Sequence, residues 1–298
     1  EVFDVPEAYW ACFVLGIVMS LVAWRSSWRV HIRAGLFVVG QTILLTAPLT
    51  FFLNSYVYGS FPTVDKAGSL SFYLEKVHIR IMAHPIDSLQ DPAASLIGVD
   101  VGQLWVTELF DLFLGPIGAL NVQALLYPML GWWCAWWLFY ELTRRPRASL
   151  LMAFPFGMGL HVFRDLNWYT MEKSAIFLIP LFMVGLLRWW NGNRALWLAP
   201  VLVLSAWMNL YFGMINVGLL TLFVLSVSVC APSRRWPVLK LFALSFLAIL
   251  PLALWQWLVL RTGPQVATHH DFIWELAALP SFSLQPFRWD RLEWHRAL

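Results

Sequence analysis

The most polar short stretch between apolar runs is the turn His161, Arg164, Asp165, Asn167, Trp168, Tyr169, Glu172 and Lys173. Arg164 and Lys173 are the residue types that hold a phosphate through charge-assisted hydrogen bonds. Asp165 and Glu172 could bind a metal ion or a sugar hydroxyl, and Trp168 could stack on a sugar ring. The plain alternative is local ion pairing, Arg164 with Asp165 and Glu172 with Lys173, with His161 a hydrogen-bonded packing residue near a span end. A second group is Asp100, Glu108 and Asp111; the last two share a helix face at i, i+3, as water-facing acids on a surface helix also would. His269-His270-Asp271 resembles a metal-binding tract but has no fourth ligand at a defined spacing. Asp65, followed by Lys66, reads by itself as a solvated loop aspartate or an N-cap before Ser69–Met82. The chain carries no P-loop, no GxGxxG and no Ser-His-Asp set in a nucleophile elbow.

Whatever positions these residues is built in hydrocarbon. The 298 residues are 60% hydrophobic and 12% charged, about half the charge fraction of a soluble domain. Cutting the chain at its long apolar runs and assigning the connections alternately to two faces separates the charges. One face takes Arg25, Arg29, Arg33, Arg144, Arg145, Arg147, Arg188, Arg194, Arg234, Arg235 and Lys240, with Glu141 as its one acid. The other takes the remaining Lys and Arg and 16 of the 17 acids. Basic loops mark the cytoplasmic side of a multispanning protein, so acid-dependent chemistry belongs on the opposite face. The basic side suits an anionic leaflet rather than nucleic acid. Many of the 19 Trp, among them Trp10, Trp24, Trp28, Trp105, Trp189 and Trp190, stand near helix ends as interfacial belts do. Cys12, Cys134 and Cys230 lie inside apolar runs without metal or redox spacing and read as inert.

At roughly 20 apolar residues per crossing, about eight spans are expected: 8–24, 34–53, 119–141, 148–163, 174–190, 195–213, 214–231 and 241–260. The first is followed by a basic loop and reads as a stop-transfer span, not a signal peptide. The numbering opens at Glu1, so a preceding segment is expected. Residues 54–118 form a long outer loop with apolar residues at helical spacing in 69–82 and 100–114. Both segments are too short to span and carry charge along their length, so they are expected to lie on the outer membrane surface. The tail 261–298 mixes Trp274, Phe282, Phe287, Trp289 and Trp294 with charges and reads as a surface-lying amphipathic segment.

A long first outer loop with two interfacial helices, followed by closely spaced spans, resembles the GT-C superfamily of membrane glycosyltransferases. The segment Asp91-Pro92 through Gly98, Asp100 and Leu104-Trp105 looks like that family's loop. Gly115-Pro116 through Asn121 looks like the start of its next span. Arg144–Arg147, Phe154 through His161, Leu178-Ile-Pro180-Leu and Trp207-Met-Asn-Leu-Tyr211-Phe-Gly213 are similar to the segments after it. The likeness covers roughly residues 35–230 and rests on order and spacing. Residues 1–33 are an extra span, and the chain ends sooner than many of that family, so a further C-terminal part is expected.

The resemblance implies transfer of a sugar from a polyprenyl-phosphate carrier at the outer face, with an early first-loop acid as general base or metal ligand. Asp65 is the position that matches. A carboxylate there takes a proton from an acceptor hydroxyl or holds a divalent cation against the leaving phosphate. Lys66, Asp100, His161, Arg164, Asp165, Trp168, Glu172 and Lys173 are then the substrate-binding candidates. A divalent cation is the one cofactor in view, with its ligands open. The fold expected is an all-α polytopic membrane protein, GT-C-like, divided into residues 1–33, a transmembrane module 34–260 and an outer tail 261–298. The bacterial inner membrane is the expected location, with the N-terminus and first loop outside. Membrane lipids and a lipid-phosphate-linked sugar are the expected partners. The competing reading is a non-catalytic GT-C-like scaffold or accessory subunit with partner subunits in the membrane. It draws on the missing acid pair beside Asp65. A transporter fits least, because no ionisable residue sits centrally in a span.

Overall fold

The computed structural model describes residues 5–25, 29–46, 57–58, 94–159, 175–192, 197–262 and 281–282. In chain order these form α1 (Val5–Arg25), α2 (Val30–Leu45), β1 (Val57–Tyr58), α3 (Ala94–Thr143) and α4 (Pro146–Met158). A 3-10 turn (Ala175–Phe177) leads into α5 (Leu178–Trp190). Then come α6 (Leu198–Met208), α7 (Leu210–Cys230), a second 3-10 turn (Pro232–Arg234), α8 (Arg235–Thr262) and β2 (Ser281–Phe282). The architecture is helical, as expected, and the expected spans are mostly helical over their described parts, 195–213 being broken at Asn209. Leu210–Cys230 and Pro232–Leu254 are long and apolar enough to cross a membrane, while α2, α6 and the stretch Ala175–Trp190 are shorter apolar helices. The expected surface helix at 69–82 lies outside the described residues. So does most of the tail, apart from β2, which pairs in parallel with β1, Val57 to Ser281 and Tyr58 to Phe282.

The chain divides into two compact units. The first holds α1, α2, residues 106–143 of α3, α4 and the turn Ala175–Phe177; the second holds residues 94–105 and α5 to α8.

In the first unit, α1 turns a stripe of small residues inward. Cys12, Gly16, Ser20 and Ala23 are buried, whereas Val14, Leu15, Ile17, Val18, Leu21 and Val22 are exposed. The stripe lets two backbones touch. A Cβ on Gly16 would stand 2.6 Å from the Gly40 carbonyl oxygen of α2, and one on Gly40 would stand 2.9 Å from that of Gly16. Ser20 Oγ donates to its own helix at Gly16 O (2.7 Å) and accepts from Gln41 Nε2 of α2 at 2.8 Å. Close approach of small residues, reinforced by a polar bond, is how helices associate where the solvent is as apolar as their side chains.

The helix α3 is two arms. Gly115 sits at φ +73°, a conformation open to glycine and costly for other residues, and Pro116 has no N–H to donate backwards. Gln123 Nε2 donates to Thr107 Oγ1 at 2.7 Å across 16 residues. A straight helix would hold those residues about 24 Å apart. With arms of roughly 12 Å on each side of Gly115 and Cα atoms within roughly 10 Å, the included angle is below about 50°. Residues 106–114 therefore run back beside the following helix. Segment 100–114 is helical, as expected, and the reversal at Gly115 folds its second half back beside the helix that follows.

Arg144, in the left-handed region at φ +56°, ends the second arm, and α4 returns along it. Trp132 Nε1 donates to Leu150 O at 3.0 Å and Trp136 Nε1 to Pro146 O at 3.1 Å. Gly157 of α4 lies directly on the Pro128–Trp132 backbone. Ala34 and Val38 of α2 pack with Trp132, Ala135, Trp136 and Ala153.

The second unit packs α5 to α8 around Phe182, Leu186, Leu202, Leu220 and Val224. The reversal between α6 and α7 falls at Asn209, a few residues before the expected boundary at 213/214. Asn209 is extended (φ −161°, ψ 128°), and its Oδ1 accepts from the Tyr211 N–H at 2.9 Å, capping α7. Gly213 then packs on Ala206. One polar knot crosses this apolar bundle: Asn216 Nδ2 donates to Ser205 Oγ at 2.8 Å and to Leu178 O at 3.4 Å.

Candidate functional site

Most residues singled out for chemistry lie outside the described residues: Asp65, Lys66, His161, Arg164, Asp165, Trp168, Glu172, Lys173 and the His269–Asp271 tract. Asp100 and Glu108 have their backbones within α3. Asp111 is half-buried on the arm that folds back. Among the described residues no three His, Cys, Asp or Glu side chains converge as a metal site would require.

What the structure describes is the frame of the polar turn. α4 ends shortly before it in the chain and the 3-10 turn Ala175–Phe177 follows it; those two elements touch. Close to Phe177 lies a buried polar chain that the sequence reading did not find. Tyr127 Oη donates to Gln123 Oε1 at 3.1 Å, and Gln123 Nε2 continues to Thr107 Oγ1 and, at 3.2 Å, to Ala119 O. The Tyr127 ring lies 5.9 Å from Phe177. Asn121 is buried beside them on the same helix. The signal available in the sequence was polar residues in an otherwise apolar helix start, Asn121 and Gln123. Their partner Thr107 was hidden by the reversal at Gly115.

The opposite end of this unit gathers the arginines. α1 ends and α2 begins there, α3 ends and α4 begins there, which brings together Arg25, Arg29, Arg33, Arg144, Arg145 and Arg147. Tyr140, at that end, is about 20 Å along the helix from Tyr127. Arg147 lies over the Trp24 ring at 4.4 Å and Arg144 over Tyr140 at 5.8 Å. His31 meets Trp136, Trp137 and Tyr140 edge-on. Glu141, the single acid of this end, bonds Arg144 at 2.7 Å through one oxygen and accepts from Trp137 Nε1 at 3.3 Å through the other. The second unit repeats the pattern: Arg234, in the turn before α8, lies over Trp190 at the end of α5 at 4.7 Å and donates to its carbonyl. Loops assigned to one face by counting charges thus meet at one end in each unit.

The surface between the ends is apolar. Val14 is 56% exposed, Val18 49%, Leu222 63% and Leu225 59%, while Asn121, Gln123, Ser205, Asn216 and Ser245 are fully buried. Such an inversion is what a hydrocarbon solvent selects, since water would penalise it as a continuous apolar patch. Comparison with family models, with curated proteins and with solved structures finds no match for this chain.

Proposed function

We propose that this chain is an integral membrane protein that transfers a sugar from a polyprenyl-phosphate-linked donor at the outer membrane face. The observation that carries the proposal is the distribution of polarity along the first unit. One end holds six arginines against one glutamate. The other holds the buried Thr107–Gln123–Tyr127 chain against Phe177, which follows the polar stretch His161 to Lys173 in the chain. An acid-poor arginine end belongs at the cytoplasmic surface, which leaves the polar frame for the outer one. The pairing of β1 with β2 places the start of the first loop beside the tail, in keeping with both being outside.

In this reading Asp65 is the base or the metal-holding acid, and Arg164 and Lys173 face the donor phosphate. Fixed positive partners stabilise negative charge developing on a leaving phosphate, more so where lipid and protein exclude water. Lys66, Asp100, His161, Asp165, Trp168 and Glu172 complete the substrate contacts. The test is transfer of label from polyprenyl-phosphate sugars, taken as a panel, in membranes containing the full chain. Asp65→Asn should abolish transfer while the protein still inserts, and Lys173→Ala should raise the donor requirement more than the acceptor requirement. Full transfer by Asp65→Asn would remove Asp65 from the reaction, whereas no transfer by the wild type from any donor of the panel would move the chain to the non-catalytic scaffold reading.

A further inference from the structure

The arginine end of the first unit contains a pocket of about 60 Å³ lined by Trp24, Arg33, Phe37, Trp136, Arg147 and Leu150, among others. It lies where the α1–α2 hairpin meets the α3–α4 hairpin, so each hairpin contributes one arginine, Arg33 from α2 and Arg147 from α4. Space of that size admits about four water-sized groups, which is the scale of a phosphate and its ester oxygens. Among the described residues the surrounding charge is mostly positive, and Glu141 bonds Arg144 and accepts from Trp137. Arg147 is held in place by the Trp24 face, so less of its freedom is lost on binding an anion. Pro146 opens α4 at the pocket wall, which points the positive end of that helix at the same space. One and two turns beyond Arg147 along α4, Leu151 and Phe154 are exposed. A cationic pocket followed by an apolar strip on the same helix face matches a lipid with a phosphate head and acyl tail.

We infer that this pocket is a binding site for the phosphate of an anionic phospholipid of the cytoplasmic leaflet, held by Arg33 and Arg147, with its acyl chain along Leu151 and Phe154. The inference rests on the membrane orientation proposed above. Both guanidinium groups offer bidentate hydrogen bonds to phosphate oxygens, and basic pockets between spans on the cytoplasmic side recognise anionic head groups.

The test uses the full chain purified in detergent and analysed by native mass spectrometry after addition of phosphatidylglycerol or phosphatidylcholine. The wild type should retain one phosphatidylglycerol in preference to phosphatidylcholine. Arg33→Gln/Arg147→Gln should lower that retention about tenfold, the loss of one to two charge-assisted hydrogen bonds. Arg33→Lys/Arg147→Lys should fall between, since charge persists and the bidentate geometry does not. Arg235→Gln/Lys240→Gln, at the basic end of the second unit, should leave retention unchanged. Millimolar inorganic phosphate should not displace the lipid; displacement by phosphate alone would make free phosphate the ligand and overturn the lipid assignment. Equal retention of the two lipids, or undiminished retention by the Gln double variant, would overturn the site. Orientation is read separately, by whether Ser233→Cys is protected from an impermeant thiol reagent in intact cells. Protection together with failed lipid retention refutes the pocket alone.

Discussion

Gly157→Ala places the packing of the α3–α4 hairpin under direct test. A methyl at Gly157 would stand 2.4 Å from Trp132 Cβ, 2.5 Å from Pro128 O and 2.6 Å from Trp132 N. Two of those atoms are backbone, so the neighbour cannot rotate away, and the helices must part by about 1 Å to restore van der Waals contact. That movement stretches the indole bonds of Trp132 to Leu150 O (3.0 Å) and of Trp136 to Pro146 O (3.1 Å) past hydrogen-bonding range. Overpacking costs about 1–3 kcal/mol and each weakened bond up to about 1 kcal/mol, against a gain of at most about 1 kcal/mol from alanine's helix propensity. The net expectation is a loss of about 2–3 kcal/mol. Gly131→Ala is the matched control: its Cβ would meet Phe156 O at 3.1 Å, a shift of a few tenths of an ångström, and propensity should roughly cancel it. Both variants are unfolded in mixed micelles with increasing SDS, followed by tryptophan fluorescence. If Gly157→Ala unfolds within about 0.5 kcal/mol of Gly131→Ala, the spread of ordinary surface substitutions, the close backbone contact is not there.

Gln123→Leu should cost about 1–2 kcal/mol, because Thr107 and Tyr127 lose a buried partner together; Tyr127→Phe, which removes one bond, should cost less in the same unfolding assay. Asn216→Ala should cost only about 0.6 kcal/mol, the usual worth of an interhelical polar bond in a membrane, despite its two bonds; a loss several times larger would mean that the knot organises the α5–α6–α7 packing. A membrane-permeant maleimide should modify Cys230, which is exposed, in the folded protein and reach Cys12 and Cys134, which are buried, only after denaturation; early loss of the Cys134 thiol would contradict the described rotation of α3.

The positions of the helices were legible in the sequence because apolar length and basic turns are local signals. The run 8–24 became Val5–Arg25 and 214–231 became Leu210–Cys230. Gathering of arginines at one end followed from charge counting, since each loop's side alternates with each helix. Rotation of the helices about their axes was not legible. In α1 the buried face is Cys12, Gly16, Ser20 and Ala23 and the exposed face is valine, leucine and isoleucine, so hydrophobicity does not distinguish inside from outside as it does in water. The Thr107–Gln123 bond was hidden for another reason. It depends on Gly115 taking a positive φ, and a Gly-Pro pair announces a break without giving its angle. The pocket between Arg33 and Arg147 depends on how two hairpins meet, which no local pattern encodes. The acids proposed for chemistry came from loop position and resemblance, and Asp65 and the 161–173 turn lie outside the described residues.

The most direct measurement of the central claim, arginine end inside and polar end outside, is paired cysteine accessibility in intact cells. In a background with Cys12, Cys134 and Cys230 replaced, Ser88→Cys in the first loop and Ser233→Cys in the exposed turn before α8 are each treated with an impermeant maleimide. The account predicts modification of Ser88→Cys at once and of Ser233→Cys only after the membrane is permeabilised. The reverse pattern would place the arginines outside and remove both the outer-face chemistry and the cytoplasmic lipid site.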